Sequence, residues 1–134
     1  MRKLLLIDDD EELCVELTQI LATEGFKVDV AFDGLQGLQF LQEKHYQIII
    51  LDLKLPKLNG YEVLKGIKTT VKAPKVIILS GRPMGELLLN EKSITQDEEE
   101  QVLKMADLVV NKPFIIEDFI QKIKALSLMK VEKS

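Results

Sequence analysis

Short apolar runs recur along this chain at intervals that leave room for a helix between most neighbours: KLLLI (3–7), KVDVA (27–31), QIIIL (47–51), KVIIL (75–79) and DLVV (107–110). Several are continuous rather than alternating. A strand can be oily on both sides only where both sides are covered. The segments between them carry the helical period. Leu13, Leu17, Ile20 and Leu21 share a face that stops at Gly25, and Leu35, Leu38 and Leu41 follow. Val63, Leu64 and Ile67, then Ile116, Phe119, Ile120 and Ile123, repeat the pattern. Strand and helix in strict alternation predict an α/β fold, a parallel sheet with helices on both faces, because parallel neighbours need a crossover between them.

With 134 residues, 46% of them apolar and 30% charged, the chain has the size and composition of one compact domain over 1–134. No internal repeat, low-complexity tract or linker marks a second boundary. A net charge of −4, with lysines spread rather than clustered, leaves no electrostatic footprint for nucleic acid or an acidic membrane surface. The expected partners are proteins or small molecules. Cys14 is the single cysteine, so an internal disulfide is excluded, and no charged and oily leader opens the chain. A cytoplasmic setting is the expectation. The apolar runs are also too short to span a bilayer. One segment breaks the alternation: GRPMGELLLNEKSITQDEEEQVLKMA, 81–106. Thr95 followed by Glu98 makes a capping box and predicts a helix in its second half, which leaves about 82–94 extended or irregular.

Against this frame, LLLIDDDEEL (4–13) drives an oily strand into five consecutive acids. Carboxylates so close repel one another and need a cation, a lysine or solvent nearby. An Asp ahead of a helix is ordinarily an N-cap, and that is the bland reading of Asp8 or Asp9 taken singly. In parallel α/β sheets, however, ligands collect at the carboxyl ends of the strands. Those ends carry Asp8 and Asp9 after the first strand, Asp52 after the third, Ser80 after the fourth and Lys112 after the fifth. Three acids, a hydroxyl and an ammonium converging on one edge suit a hard cation that takes oxygen ligands and keeps its waters, such as Mg²⁺.

The same residues give the chain its resemblance to a family. The acidic pair after the first strand, ILDLKLPKLNGYEVL (50–64) around a central aspartate, ILSG (78–81) and NKPF (111–114) resemble the response-regulator receiver domain of two-component signalling. The likeness covers nearly the whole chain. It implies a doubly wound, flavodoxin-like sheet of five parallel strands in the order 2-1-3-4-5, an order that the family itself exemplifies. It also implies that Asp52 takes a phosphoryl group from a phosphohistidine on a sensor histidine kinase or phosphotransfer protein. Asp9 and Asp52 would bind Mg²⁺ directly, with the backbone carbonyl of Lys54, and Asp8 would act mainly through water. Ser80 and Lys112 would contact the phosphoryl oxygens. Pro113 matches a proline that is often cis in the family, and Pro56 and Gly60 would shape the loop after Asp52. The resemblance implies self-catalysed phosphorylation and dephosphorylation rather than a conventional enzyme, with no nucleic-acid or membrane binding by this domain.

Four features depart from the family pattern. Lys54 and Arg82 put extra cations near the acids, Val109 stands where an aromatic switch residue is usual, and the segment between Ser80 and Lys112 is long, with Met105 replacing a familiar glycine. A short, stiff Val109 side chain moves little surface when it turns. The output is therefore expected to run through 82–106. The alternatives are a receiver-shaped module that works without phosphorylation, its acids neutralised by Lys54 and Lys112, and a receiver portion of a longer regulator. His45 reads as a surface residue, Cys14 as core packing, and the acids of 97–100 as a solvated helix start.

Overall fold

A computed structural model describes residues 2–53, 60–68, 74–80 and 104–128. Within them the strands are β1 (Arg2–Ile7), β2 (Phe26–Ala31), β3 (Ile48–Asp52), β4 (Lys75–Ser80) and β5 (Leu108–Asn111). The helices are α1 (Glu11–Thr23), α2 (Gly34–Glu43), α3 (Gly60–Lys68) and α4 (Ile116–Leu128). All five strands are parallel, in the order β2-β1-β3-β4-β5.

The continuous oily runs are explained by this arrangement. Along β1, Leu4 and Leu6 join a core with α1 and α4, while Leu5 and Ile7 join a second core with α2 and α3. Ile48 and Ile50 of β3, and Ile77 and Leu79 of β4, lie on the first side; Ile49, Leu51, Val76 and Ile78 lie on the second. Every one of these side chains is fully buried. A single polar substitution in these central strands would therefore strand a polar group in one core or the other.

The helix ends follow from their residues. Asp10 caps α1 by accepting from the Leu13 N–H, and Gly25, at φ 91°, accommodates the left-handed turn that stops it. Asp33 caps α2 by accepting from the Gln36 N–H, and the Gln36 side chain accepts in return from the Phe32 N–H at 2.8 Å. The cap of α1 is thus Asp10, not Asp8 or Asp9. His45 is exposed and lies just beyond α2 rather than within it. Gly60 opens α3. Cys14 is buried in the first core, as expected, and Val109 is half-buried against the second. The extended stretch at 82–94, the helix after Thr95, Arg82, Pro56 and Lys54 lie outside the described residues.

Candidate functional site

The strand order reverses between β1 and β3. β2 lies on one side of β1 and β3 on the other, so the connections leaving β1 and β3 part and open a crevice at their carboxyl ends. Asp8 and Asp9 follow β1 there, and Asp52 ends β3. One carboxylate oxygen from each lies within 4.8 Å of the others. Asp8 and Asp52 are buried; Asp9 is exposed. Ser80, also buried, ends β4 and stands in register with Asn111 of β5. The next residue is Lys112, whose backbone N–H donates to the Ser80 carbonyl at 2.6 Å.

Lys112 reaches back across the sheet edge. Its ammonium donates to Asp8 Oδ2 at 2.8 Å and to Asp52 Oδ2 at 3.3 Å. Burial alone would lower its pKa, but the bond to Asp8 and the charges of Asp52 and Asp8 outweigh burial and raise it. Lys112 is therefore held as a cation. Both Asp8 oxygens have protein partners, because the other, Oδ1, accepts from the Asp10 N–H at 2.9 Å. The Cys14 thiol donates to the Asp8 carbonyl at 3.5 Å. Burial first, and then the neighbouring charges of Asp8 and Asp10, push that thiol up to about 12, so it stays protonated and unreactive. The Lys112–Pro113 peptide is cis.

Among the described residues this crevice gathers three carboxylates and one ammonium, and the side chains of Asp8 and Asp52 are shielded from water. Oxygen donors at these separations fit a small hard divalent cation, and Asp9, exposed at the mouth, faces solvent from which a hydrated ion arrives. The structure thus brings together Asp8, Asp9, Asp52, Ser80 and Lys112. The Lys54 carbonyl falls outside the described residues. Two features were not foreseen from the sequence. One is the engagement of Asp8 by the Asp10 amide. The other is a groove of about 440 Å³ beside the acids, lined by Asp10, Leu13, Glu16, Lys112, Pro113, Phe114 and Ile116. The period of α1 places Leu13 and Glu16 together, but only the fold brings Phe114 opposite them.

Known proteins are similar to this chain in sequence and fold. A profile described as the response regulator receiver domain matches residues 4–124. The transcriptional regulatory protein CpxR homolog of Haemophilus influenzae is 40% identical over 129 residues, covering 94% of this chain and 50% of that protein. The chain thus spans about half the length of the curated relatives it matches. A CheY-like response regulator receiver domain protein from Methanospirillum hungatei superposes with a TM-score of 0.79 at 26% identity, covering 95% of this chain and 94% of its own. The response regulator TrrA of Thermotoga maritima, solved in complex with Mg²⁺ and BeF, gives a TM-score of 0.73 at 27% identity, covering 94% and 99%.

Proposed function

Because this chain belongs to the response regulator receiver domain family, we propose that it is a Mg²⁺-dependent phospho-acceptor that takes a phosphoryl group onto Asp52 from a phosphohistidine on a partner kinase or phosphotransfer protein. The observation that carries this reading is the setting of Asp52. It is buried at the end of β3, within the 4.8 Å cluster of carboxylates and 3.3 Å from the Lys112 ammonium.

In the proposed reaction an Asp52 oxygen attacks phosphorus as the bond from phosphorus to the histidine nitrogen breaks. The imidazole leaves with its electron pair, and an acyl phosphate remains. Phosphoryl transfer asks a protein for positioning and for charge on the transferring oxygens more than for covalent help. Lys112 would supply that charge from the side of β5, and the Ser80 hydroxyl would donate to a phosphoryl oxygen from the end of β4. Asp9, Asp52 and the Lys54 carbonyl would hold Mg²⁺, with Asp8 acting through water. The ion would neutralise the repulsion between the incoming phosphoryl group and the acids. Asp8, with both oxygens engaged, fits a supporting role that fixes Lys112. The domain would then signal by protein contacts, in the cytoplasm. In a regulator as long as its relatives it would be the phospho-accepting half of the chain.

A second reading has one observation in its favour: Lys112 already pairs with both Asp8 and Asp52, as an internally neutralised interaction module would require. Acetyl phosphate with Mg²⁺ separates the two. Intact-protein mass spectrometry should show one added phosphoryl group on the wild type and none on Asp52→Asn. Equal labelling of both would remove Asp52 as the acceptor, and no labelling together with no Mg²⁺ binding would favour the second reading.

A further inference from the structure

We propose that Asp10 is a positioning residue for the phosphorylation site and acts through its capping of α1 rather than through its charge. The proposal rests on the phospho-acceptor reading above. Asp10 stands third in the run of acids, yet its carboxylate is not among those that gather within 4.8 Å. One of its oxygens is turned the other way, accepting from the Leu13 N–H at 3.1 Å. That bond holds the residue extended, at φ −82° and ψ 98°, as an N-cap requires.

The extended backbone sets where the Asp10 N–H points. It donates to Asp8 Oδ1 at 2.9 Å, which leaves Oδ2 for Lys112 at 2.8 Å. The Asp10 carbonyl accepts from the Cys14 N–H at 3.0 Å, and the Cys14 thiol returns to the Asp8 carbonyl. The first turn of α1 and the fully buried Asp8 are therefore tied at both ends of one short loop. Asp9 is the residue inside that loop. With residues 8 and 10 pinned, the Asp9 backbone is fixed, and its exposed carboxylate is directed toward Asp52. Without a cap, the Leu13 N–H loses its partner and the first turn frays. The peptide between residues 9 and 10 is then free to turn, the Asp8 Oδ1 bond opens, and both Asp8 and Asp9 lose their direction. Supporting bonds of this kind govern the affinity of a metal site because they orient its ligands.

The test separates cap from charge. Asn and Ser cap as well as Asp, and neither carries its charge. Mg²⁺ affinity of the full chain would be measured by calorimetry in wild type, Asp10→Ala, Asp10→Asn and Asp10→Ser, with exchange of the residue-10 amide followed by NMR in metal-free buffer. Asp10→Ala should weaken Mg²⁺ binding about tenfold and speed exchange of that amide, while Asn and Ser stay within about twofold of wild type in affinity. If Asp10→Asn weakens binding as much as Asp10→Ala, charge is the cause and the proposal is wrong. Unchanged amide exchange and affinity in Asp10→Ala would overturn it as well. Should the wild type bind no Mg²⁺, the phospho-acceptor reading fails; the amide exchange still decides whether the cap holds the amide on Asp8.

Discussion

The two edges of the sheet treat polar groups in opposite ways. At the amino-terminal edge several polar groups pair across the fold. Arg2 donates to the Ser127 hydroxyl at 2.8 Å, and Gln47 donates to the Ser127 carbonyl at 2.8 Å. The Asp107 carboxylate accepts from the Val76 N–H at 2.7 Å, and the Asp107 N–H answers to the Val76 carbonyl at 2.9 Å. At the carboxyl-terminal edge, among the described residues, three carboxylates gather beside one ammonium, which pairs with two of them. The first edge ties the ends of the elements together. The second concentrates like charge, and folds break their own local rules chiefly where they do chemistry. The difference singles out the second edge as the candidate site independently of any motif.

Removing the shared ammonium should break the contrast most strongly. Lys112→Met takes from Asp8, which has no exposed surface, its ammonium partner and leaves it beside two other acids. Deleting one partner of a buried pair costs about 3 kcal/mol, because the other charge remains buried and unpaired. Urea unfolding in EDTA should show a loss of that size. Mg²⁺ should restore much of it, since a ligand at 100 times its Kd stabilises the folded state by about 2.7 kcal/mol. Arg2→Met, at the amino-terminal edge, should cost only about 1 kcal/mol and gain nothing specific from Mg²⁺. Equal losses in the two variants would mean that the edges do not differ as described.

That asymmetry was legible in the sequence to an uneven degree. In a parallel sheet all strands run the same way, so the residues after each run must arrive at one edge; Asp8, Asp9, Asp52, Ser80 and Lys112 could be gathered by that rule alone. The division of labour inside DDD could not. Which of three successive acids caps α1 depends on where the first helical turn begins, and a sequence pattern places that start only to within a residue or two. The capping role fell to Asp10. The bonds of the amino edge were invisible for a different reason. Arg2 and Ser127 are 125 positions apart, and nothing in either residue type names the other. Side-chain pairing across the fold depends on register and rotamer, which periodicity does not carry.

A smaller effect, now pH-dependent, concerns the edge strand β2. Asp29 accepts from the Tyr46 hydroxyl at 2.7 Å and from Lys44 at 3.2 Å. Burial would raise its pKa, but the two hydrogen bonds and the Lys44 charge outweigh burial and lower it below its ordinary value. A carboxyl whose folded pKa is depressed contributes stability that is present above its unfolded pKa and lost as pH falls through the folded one. Wild-type stability should therefore decline below about pH 4, where an unfolded Asp begins to protonate. Asp29→Asn should be about 1 kcal/mol less stable at pH 7 and should show a flatter decline in acid. Parallel acid titrations of the two proteins, followed by thermal unfolding, check this. If the curves stay parallel, Asp29 is not the group responsible.

The smallest effect is expected where the contrast should vanish. Lys124 of α4 pairs with Glu24 at the end of α1, with the ammonium 2.6 Å from Glu24 Oε1 and the side chains 42% and 30% exposed. The distance is as short as any in the acid cluster, yet water screens both partners and each long side chain gives up rotamer freedom to hold the pair. Exposed pairs of this kind contribute about 0.2–1 kcal/mol. Lys124→Gln should fall at the low end of that range, about 0.3 kcal/mol, and the loss should shrink further in 1 M salt, where the Debye length is about 3 Å. Lys112→Met should keep most of its deficit in the same salt, because its partner is shielded from solvent ions. Denaturant unfolding of both variants at low and high NaCl makes the comparison directly. A Lys112→Met deficit that salt removes as readily as that of Lys124→Gln would show that the acid crevice is open to water, and the acids gathered there would no longer argue for a bound cation.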